Sequence, residues 1–210
     1  MRHILSISDL QVLDILGMRH PGKLESFSAA DSLETFRCNT GMSSDDLVEI
    51  ATSRSIKDLG AQSATLTTAA MSALIAMPSL ESLDIEGSNF DDVFAEQISA
   101  SPSLLSLDVG ATRLTKKGLK HLCRMKQLTS LDLWASDVKQ ADIELLSDLP
   151  HLEYLSIGHP DGETTFDADT LLPKLKALKS LSRIWLDGVP VSAQTAREFE
   201  QHFESVRITV

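Results

Sequence analysis

A repeat of 24 residues constrains the fold of this chain more than any other feature. Three consecutive segments of that length begin at Leu80, Leu104 and Leu128, and each has leucine at places one and four. An apolar residue also occupies place six, and others fall near places eleven, sixteen and nineteen. A unit of this length predicts a stack in which neighbouring copies share one hydrophobic core.

The same register extends in both directions from these three copies. We predict a single domain over residues 1–210, with 1–9 as an N-terminal cap that includes Ile4 and Ile7 at the end of a helix, and 205–210 as a terminal strand. Between them the repeats begin at Leu10, Leu33, Ile56, Leu80, Leu104, Leu128, Leu152 and Leu181. The copy from Leu152 has 29 residues, and its excess of five falls within 158–166.

Each unit contains two hydrophobic periods. Its first part, LxxLxL, alternates like a strand with one buried face, and its second half spaces apolar residues by three, as in a helix. Hydroxyl residues occupy the expected N-cap positions: Ser44, Thr67, Thr115 and Ser192. Prolines that end a helix stand two residues before the next strand: Pro78, Pro102 and Pro150. Each unit is therefore predicted to be a strand, a turn and a helix.

This pattern resembles the leucine-rich repeat proteins. The segment from Leu104 to Gln127, read as LxxLxLxxTxLTxxxLxxLxxMxx, is similar to the longer, helix-bearing class of ribonuclease inhibitor and of the cysteine-containing subtype. Ser88, Thr112 and Ser136 stand where that family usually has Asn or Thr. The resemblance implies an α/β fold: a right-handed solenoid with parallel strands on its concave face and helices on its convex face.

Places three, five and seven of each unit are expected on the concave face, because side chains alternate along a strand. Both tryptophans and the only tyrosine fall on these places in three successive units, as Trp134, Tyr154 and Trp185, and Arg183 lies beside them. Exposed aromatic rings are typical of protein interfaces. We expect them to anchor a partner protein, although packing on one another or under the long loop would also explain them.

Acidic residues form a second concave group next to the rings: Asp84, Glu86, Asp108 and Asp132. Like charges on adjacent strands are mildly destabilising, so their presence favours a partner with a basic surface, which they would attract. Aspartate that simply tolerates solvent is the alternative interpretation. One carboxylate per strand suits a bound cation poorly, because calcium takes six to eight oxygen ligands. We therefore expect no metal and no cofactor.

The five extra residues place His159 and Asp161 at the exit of the strand that carries Tyr154. Loops on a rigid scaffold often carry binding residues. We therefore add both residues to the candidate partner site, while an insertion without function explains the length equally well.

Composition narrows the function further. A net charge of −11 repels phosphate backbones, so nucleic acid is an unfavourable partner, and no stretch is apolar enough to predict a membrane span. Cys38 and Cys123 lie 85 residues apart without metal-ligand spacing, which favours free buried thiols and a reducing, cytoplasmic location.

No GxSxG, HExxH or phosphate-binding glycine loop occurs, and we predict that the protein is not an enzyme. The expected function is a monomeric module that binds a protein through its concave face. Two alternatives stay open: an acidic inhibitor, of immunity type, that blocks a basic enzyme, and a structural piece of a longer solenoid.

Overall fold

The computed structural model describes residues 5, 7–17, 24–159 and 166–209. Its centre is one open sheet of nine parallel strands whose spatial order is their order in the chain. The strands are β1 (Val12–Asp14), β2 (Thr35–Cys38), β3 (Asp58–Ala61), β4 (Ser82–Asp84), β5 (Ser106–Asp108), β6 (Ser130–Asp132), β7 (Tyr154–Gly158), β8 (Arg183–Asp187) and β9 (Ser205–Thr209). This is the predicted α/β repeat solenoid.

Helices alternate with the strands and return the chain to the start of the next one. The α-helices are α1 (Ser44–Ile50), α2 (Thr68–Ile75), α3 (Asp92–Ile98), α4 (Lys116–Leu122), α5 (Ala168–Lys176) and α6 (Ala193–His202). In two units the helix is instead a 3₁₀ helix, Phe27–Ala29 and Gln140–Asp148. The tighter winding departs from the α-helix expected there.

The core follows the repeat. Places one, four and six point away from the concave face, and in the unit from Leu128 these residues, Leu128, Leu131 and Leu133, are all at most 2% exposed. Equivalent leucines are Cα partners across the strands, so Leu83, Leu107, Leu131 and Leu155 form one buried row. No single unit could bury this row alone, and the stack therefore stabilises each member.

Two local predictions were wrong. The N-cap of α1 is Ser43 rather than Ser44, because Ser43 accepts from the Asp46 N–H while Asp46 accepts from Ser43 in a capping box. Ile7 is 54% exposed and lies outside any helix, so it does not extend the core, a position that Leu5 takes instead. Ile4 lies outside the described residues. Thr67, Thr115 and Ser192 are N-caps as predicted.

Polar contacts between units supplement the shared core. Asp92, the first residue of α3, accepts from the backbone N–H groups of Thr115 and Gly118 at 2.9 Å each, and from the Thr115 hydroxyl at 2.7 Å. It thus satisfies the free N–H groups at the start of α4. Gly118 permits the approach, since a Cβ there would fall 2.5 Å from Asp92 Oδ1.

Both cysteines are free and buried, as predicted, and burial raises the pKa of the Cys123 thiol to about 12. In the described part of the chain, no helix combines the length and the apolar surface that crossing a bilayer requires.

Candidate functional site

The concave face carries one continuous row of side chains at place five. Strand pairing puts these residues in register as Asp14, Arg37, Gly60, Asp84, Asp108, Asp132, Ser156, Trp185 and Arg207. The centre of the row is acidic, and an arginine lies towards each end. Adjacent strands are about 4.8 Å apart, so three aspartates of like charge follow one another along the sheet.

The aspartates have a structural role that partly explains them. One carboxylate oxygen of Asp84, Asp108 and Asp132 accepts from the backbone N–H two residues later, at 3.0, 2.8 and 2.8 Å. This bond closes the turn that leaves each strand. The second oxygen of Asp84 accepts from the Gln62 amide at 2.8 Å. Among the described residues, Asp108 has no donor for its second oxygen.

Asp108 and Asp132, the second and third of these three consecutive aspartates, have raised pKa values. Burial, followed by the charge of Asp132, raises the pKa of Asp108 to about 8. Burial likewise raises the pKa of Asp132, and the N–H of Trp134 offsets this only in part. Burial and the charges of Asp84 and Asp132 raise the pKa of Glu86. Near pH 7 the carboxyl of Asp108 is therefore mostly protonated, and a nearby positive charge would favour its ionised form.

A hydrogen-bond network holds both tryptophans. The indole N–H of Trp134 donates to Asp187 Oδ2 at 2.7 Å, and that of Trp185 donates to the Thr209 hydroxyl at 3.2 Å. The Thr209 hydroxyl in turn donates to Asp187 Oδ1. Two residues at the exits of β8 and β9 thus fix the two rings relative to each other.

Each ring also has its own environment rather than an aromatic partner. The Arg207 guanidinium carbon lies 4.5 Å from the centre of the Trp185 ring, and that of Arg183 lies 5.8 Å from the centre of the Tyr154 ring. Within the described chain, none of the three rings stacks on another. Burial, and next the charge of Asp132, raise the pKa of Tyr154. Packing of the rings on one another therefore does not explain the aromatic group.

The rings and carboxylates enclose a cavity of about 150 Å³. It is lined by Glu86, Asp108, Gly110, Asp132, Trp134 and Trp185. A broader groove of about 440 Å³ continues along the row from Trp185 towards Arg37, and Tyr154 and Asp84 also line it. The structure therefore brings seven of the ten predicted residues to one surface around these two depressions.

Ser156 lies between the two halves of this surface. It is a Cα partner of both Asp132 and Trp185, and it is completely buried. Its hydroxyl lies near the carboxylate of Asp132 and the hydroxyl of Tyr154, yet it makes no hydrogen bond of proper geometry with any described residue. A buried hydroxyl normally has a partner, and this one lowers the pKa of both Asp132 and Tyr154, although burial outweighs that effect.

Glycines shape the floor of the surface. Gly158 has φ of +127°, and a Cβ there would collide with the backbone of Asp187. Only glycine fits this position, because the backbone of Asp187 on the neighbouring strand approaches too closely for a side chain. Gly110 lines the cavity directly.

A cation could find at most a partial set of ligands here. Asp84, Glu86 and Asp108 each place a carboxylate oxygen within 4.8 Å of the others. The Gln62 amide already donates to Asp84 and, at 3.1 Å, to Glu86. Three ligands with an amide donor among them suit a divalent cation less well than six to eight oxygens.

The remaining predicted residues are His159, Arg183 and Asp161, and of these neither His159 nor Arg183 lines either depression. His159 follows β7 directly, and its backbone N–H donates to the Asp187 carbonyl at 2.9 Å. Asp161 lies outside the described residues. Arg183 sits at the edge of the surface and is 4.0 Å from the carboxylate of Glu153.

Asp187, Thr209 and Ser156 belong to the site but were not predicted as site residues. Asp187 and Thr209 each accept a hydrogen bond from a tryptophan of an earlier repeat, and Trp134 and Asp187 are 53 residues apart in the chain. No local pattern marks such a contact, although the place-seven alignment of Trp134 with Asp187 could have suggested it.

Comparison with known proteins gives the class of fold. No protein-family model matches the sequence, and no curated protein sequence matches it. Solved structures do match: an internalin (inlF) of Listeria monocytogenes has 14% identity and a TM-score of 0.58 over 97% of this chain and 62% of its own. A leucine-rich repeat protein of Leptospira interrogans has 17% identity and a TM-score of 0.58 over 100% of this chain and 51% of its own.

A third match is actin-binding site 2 of leiomodin-1, at 15% identity and a TM-score of 0.50 over 65% of this chain and 87% of its own. The fold is that of the leucine-rich repeat proteins. The chain spans less than two thirds of the length of the internalin and of the Leptospira protein. The resemblance to the ribonuclease-inhibitor class within this fold stays a prediction.

Proposed function

We propose that this protein is a non-enzymatic module that binds a partner protein with a basic surface on its concave face. The observation that carries the proposal is the acidic pair, Asp108 and Asp132, kept partly buried beside two fixed indole rings. Burying adjacent carboxylates lowers the stability of the free protein. A positive charge from a partner would relieve that cost, and the exposed ring faces would supply apolar contact.

The architecture supports the same proposal. Stacked repeats form an extended concave surface that many repeat proteins use for binding. The leiomodin-1 match is, by its own name, an actin-binding site, so in that protein the same fold carries a protein contact. We expect the acidic centre of the row to set the rate of encounter and the rings to set the lifetime of the complex.

Affinity capture from cells of the source organism tests this function. Three baits would be compared: wild type, a concave double variant Trp134→Ala with Trp185→Ala, and a convex control Lys117→Ala with Lys120→Ala, each checked for folding by circular dichroism. A partner retained by wild type and control but lost by the concave variant supports the proposal. Equal retention by all three baits contradicts binding through the concave face.

The captured partner would then be titrated as a purified protein. We expect the concave variant to lose at least about tenfold in affinity, which corresponds to about 1.4 kcal/mol, and the wild-type complex to weaken as salt rises. A very tight complex with a single basic enzyme would favour the inhibitor alternative. No interacting protein at all would favour the structural alternative.

A further inference from the structure

The 150 Å³ cavity between β6 and β8 is too small for a cofactor. Sites for cofactors and drug-sized ligands usually measure about 300–1,000 Å³, which is at least twice this volume. An occupant of this size is one side chain. Its chemistry follows from the walls, the floor and the donors around it.

The walls are flat and rigid. Trp134 and Trp185 both line the cavity, and the Asp187 and Thr209 network holds both indole N–H groups. Because those N–H groups are already bonded within the protein, an incoming group can meet the rings only through their π faces, and Arg207 already covers one face of Trp185. A π face attracts a cation, and tryptophan does so more strongly than tyrosine or phenylalanine.

The floor is acidic and short of partners. Asp108 and Asp132 line the cavity side by side, each with one oxygen on a backbone N–H. The second oxygen of Asp108 has no donor among the described residues. The hydroxyl of Ser156, completely buried next to Asp132, supports the ionised form of that carboxylate but does not line the cavity. Within the described part of the chain, the two carboxylates on the cavity floor therefore lack a neighbouring positive charge, and one oxygen of Asp108 lacks a hydrogen-bond donor.

The protein itself shows which cation suits these rings. The guanidinium of Arg207 lies over Trp185, and that of Arg183 lies near the ring of Tyr154. A guanidinium is planar, stacks on aromatic faces and offers several N–H donors to carboxylates, whereas an ammonium group is compact and strongly hydrated.

We propose that the cavity bounded by Trp134, Trp185, Asp108 and Asp132 binds the guanidinium group of one arginine side chain from the partner protein. The guanidinium lies against the indole rings and donates to the two carboxylates. This inference rests on the proposed function and names the residue of the partner that enters the site.

A blocked pentapeptide with one arginine between glycines tests the cavity without the partner. The chain contains two tryptophans, so its NMR spectrum holds two indole N–H signals, which Trp185→Phe assigns. We expect both signals to move saturably as the peptide is added. The same peptide with citrulline, a neutral isostere, or with lysine should bind at least about tenfold more weakly.

Two double variants provide the matched controls. Asp108→Asn with Asp132→Asn should weaken arginine binding at least about tenfold. Asp31→Asn with Asp45→Asn removes two exposed carboxylates away from the concave row and should leave binding unchanged. Failure of the arginine peptide to shift either indole signal overturns the inference. So does equal binding of the citrulline or lysine peptide, or an equal loss in both double variants.

The two proposals fail in different ways. If the captured partner requires Trp134 and Trp185 but the arginine peptide does not bind, the proposed function stands and the arginine assignment is wrong. If the peptide binds as expected while no partner depends on the concave face, the cavity is correctly assigned and the proposed function is not.

Discussion

Trp134 donates a 2.7 Å hydrogen bond from its indole N–H to Asp187, a residue 53 positions later in the chain. Gly158 pairs with Asp187, and its missing side chain lets the backbones of β7 and β8 approach closely at this point. Asp187 also accepts from Thr209, which in turn accepts from Trp185. One carboxylate thus orders both aromatic walls of the cavity before any partner arrives.

Removing this carboxylate should loosen both rings. We expect Asp187→Ala to move the indole N–H signal of Trp134 upfield, because its hydrogen bond is lost, and to cost about 1 kcal/mol of stability. Binding of the arginine peptide should weaken, since the rings are no longer held in place. Asp58→Ala, on the same face but outside the network, is the control. Unmoved indole signals in Asp187→Ala would contradict the network.

Asp108→Asn should stabilise the free protein. The carboxyl of Asp108 has an ordinary pKa of about 3.9 when unfolded but about 8 when folded. A raised pKa means that the folded state loses stability as the pH rises between those values, and the neutral amide avoids this loss while its oxygen still accepts from Gly110. We expect a gain of roughly 1–3 kcal/mol near pH 8 that shrinks towards about pH 4.

Urea denaturation at several pH values measures this gain. Asp84→Asn is the matched control, because the amide donor of Gln62 already faces that carboxylate and an Asn amide group would oppose it. If Asp108→Asn is no more stable than wild type near pH 8, ionisation of the Asp108 carboxyl does not destabilise the folded protein.

Arginine binding should depend on pH through the same group. Below about pH 8 Asp108 is mostly protonated, so the guanidinium must displace a proton and affinity should rise with pH, by up to about tenfold per unit for one proton. Arginine stays charged throughout. Glu86 and Asp132, whose pKa values are also raised, line the same cavity and contribute to the slope, and the charge of Asp84 helps to raise the pKa of Asp108. Isothermal titration in buffers of different ionisation heat counts the released proton, and Asp108→Asn should flatten the profile.

Gly118→Ala should destabilise the stack although alanine is the better helix former. The added Cβ would collide with Leu114 and with Asp92, whose carboxylate caps α4. We expect a loss of about 1–3 kcal/mol from this overpacking, seen as a lower melting temperature. Lys120→Ala, an exposed position of the same helix, should be nearly neutral. A higher melting temperature for Gly118→Ala would contradict the close packing of α3 and α4 at this glycine.

Leu131→Asp should be far more damaging. Leu131 is completely buried in the leucine row, and an unpaired charge there should cost more than about 3 kcal/mol. Leu105→Asp makes the same change at a leucine that is 37% exposed, and it should cost little. Comparable melting temperatures for the two variants would be incompatible with the core described above.

The fold could be predicted from the sequence because the same hydrophobic pattern recurs in each repeat and indicates the same strand, turn and helix. The buried places of the unit from Leu128 carry the same residue types as those of its neighbours, so errors in one copy are corrected by the next. Failures came where local hydrogen bonds rather than periodicity decide the conformation. These are the 3₁₀ helix Gln140–Asp148, which lies inside the regular unit from Leu128, and the cap at Ser43.

The placement of the candidate residues on one surface was predictable from the sequence, but the contacts among them were not, and their role in binding stays a prediction. Alternation along the strands correctly grouped Trp134 and Trp185 with the aspartates around one cavity. The contact of Trp134 with Asp187, the raised pKa of Asp108 and the buried hydroxyl of Ser156 all depend on side-chain positions in three dimensions. A one-dimensional pattern carries no information on those positions.

The strict order of the strands has an evolutionary consequence. Each concave residue at place five touches only the rungs beside it, while the leucines that hold the stack together point the other way. A substitution at the exposed Arg37, for example, would alter recognition at one rung and leave the scaffold intact. New binding specificities can therefore arise by single substitutions among the nine place-five residues, without a change of fold.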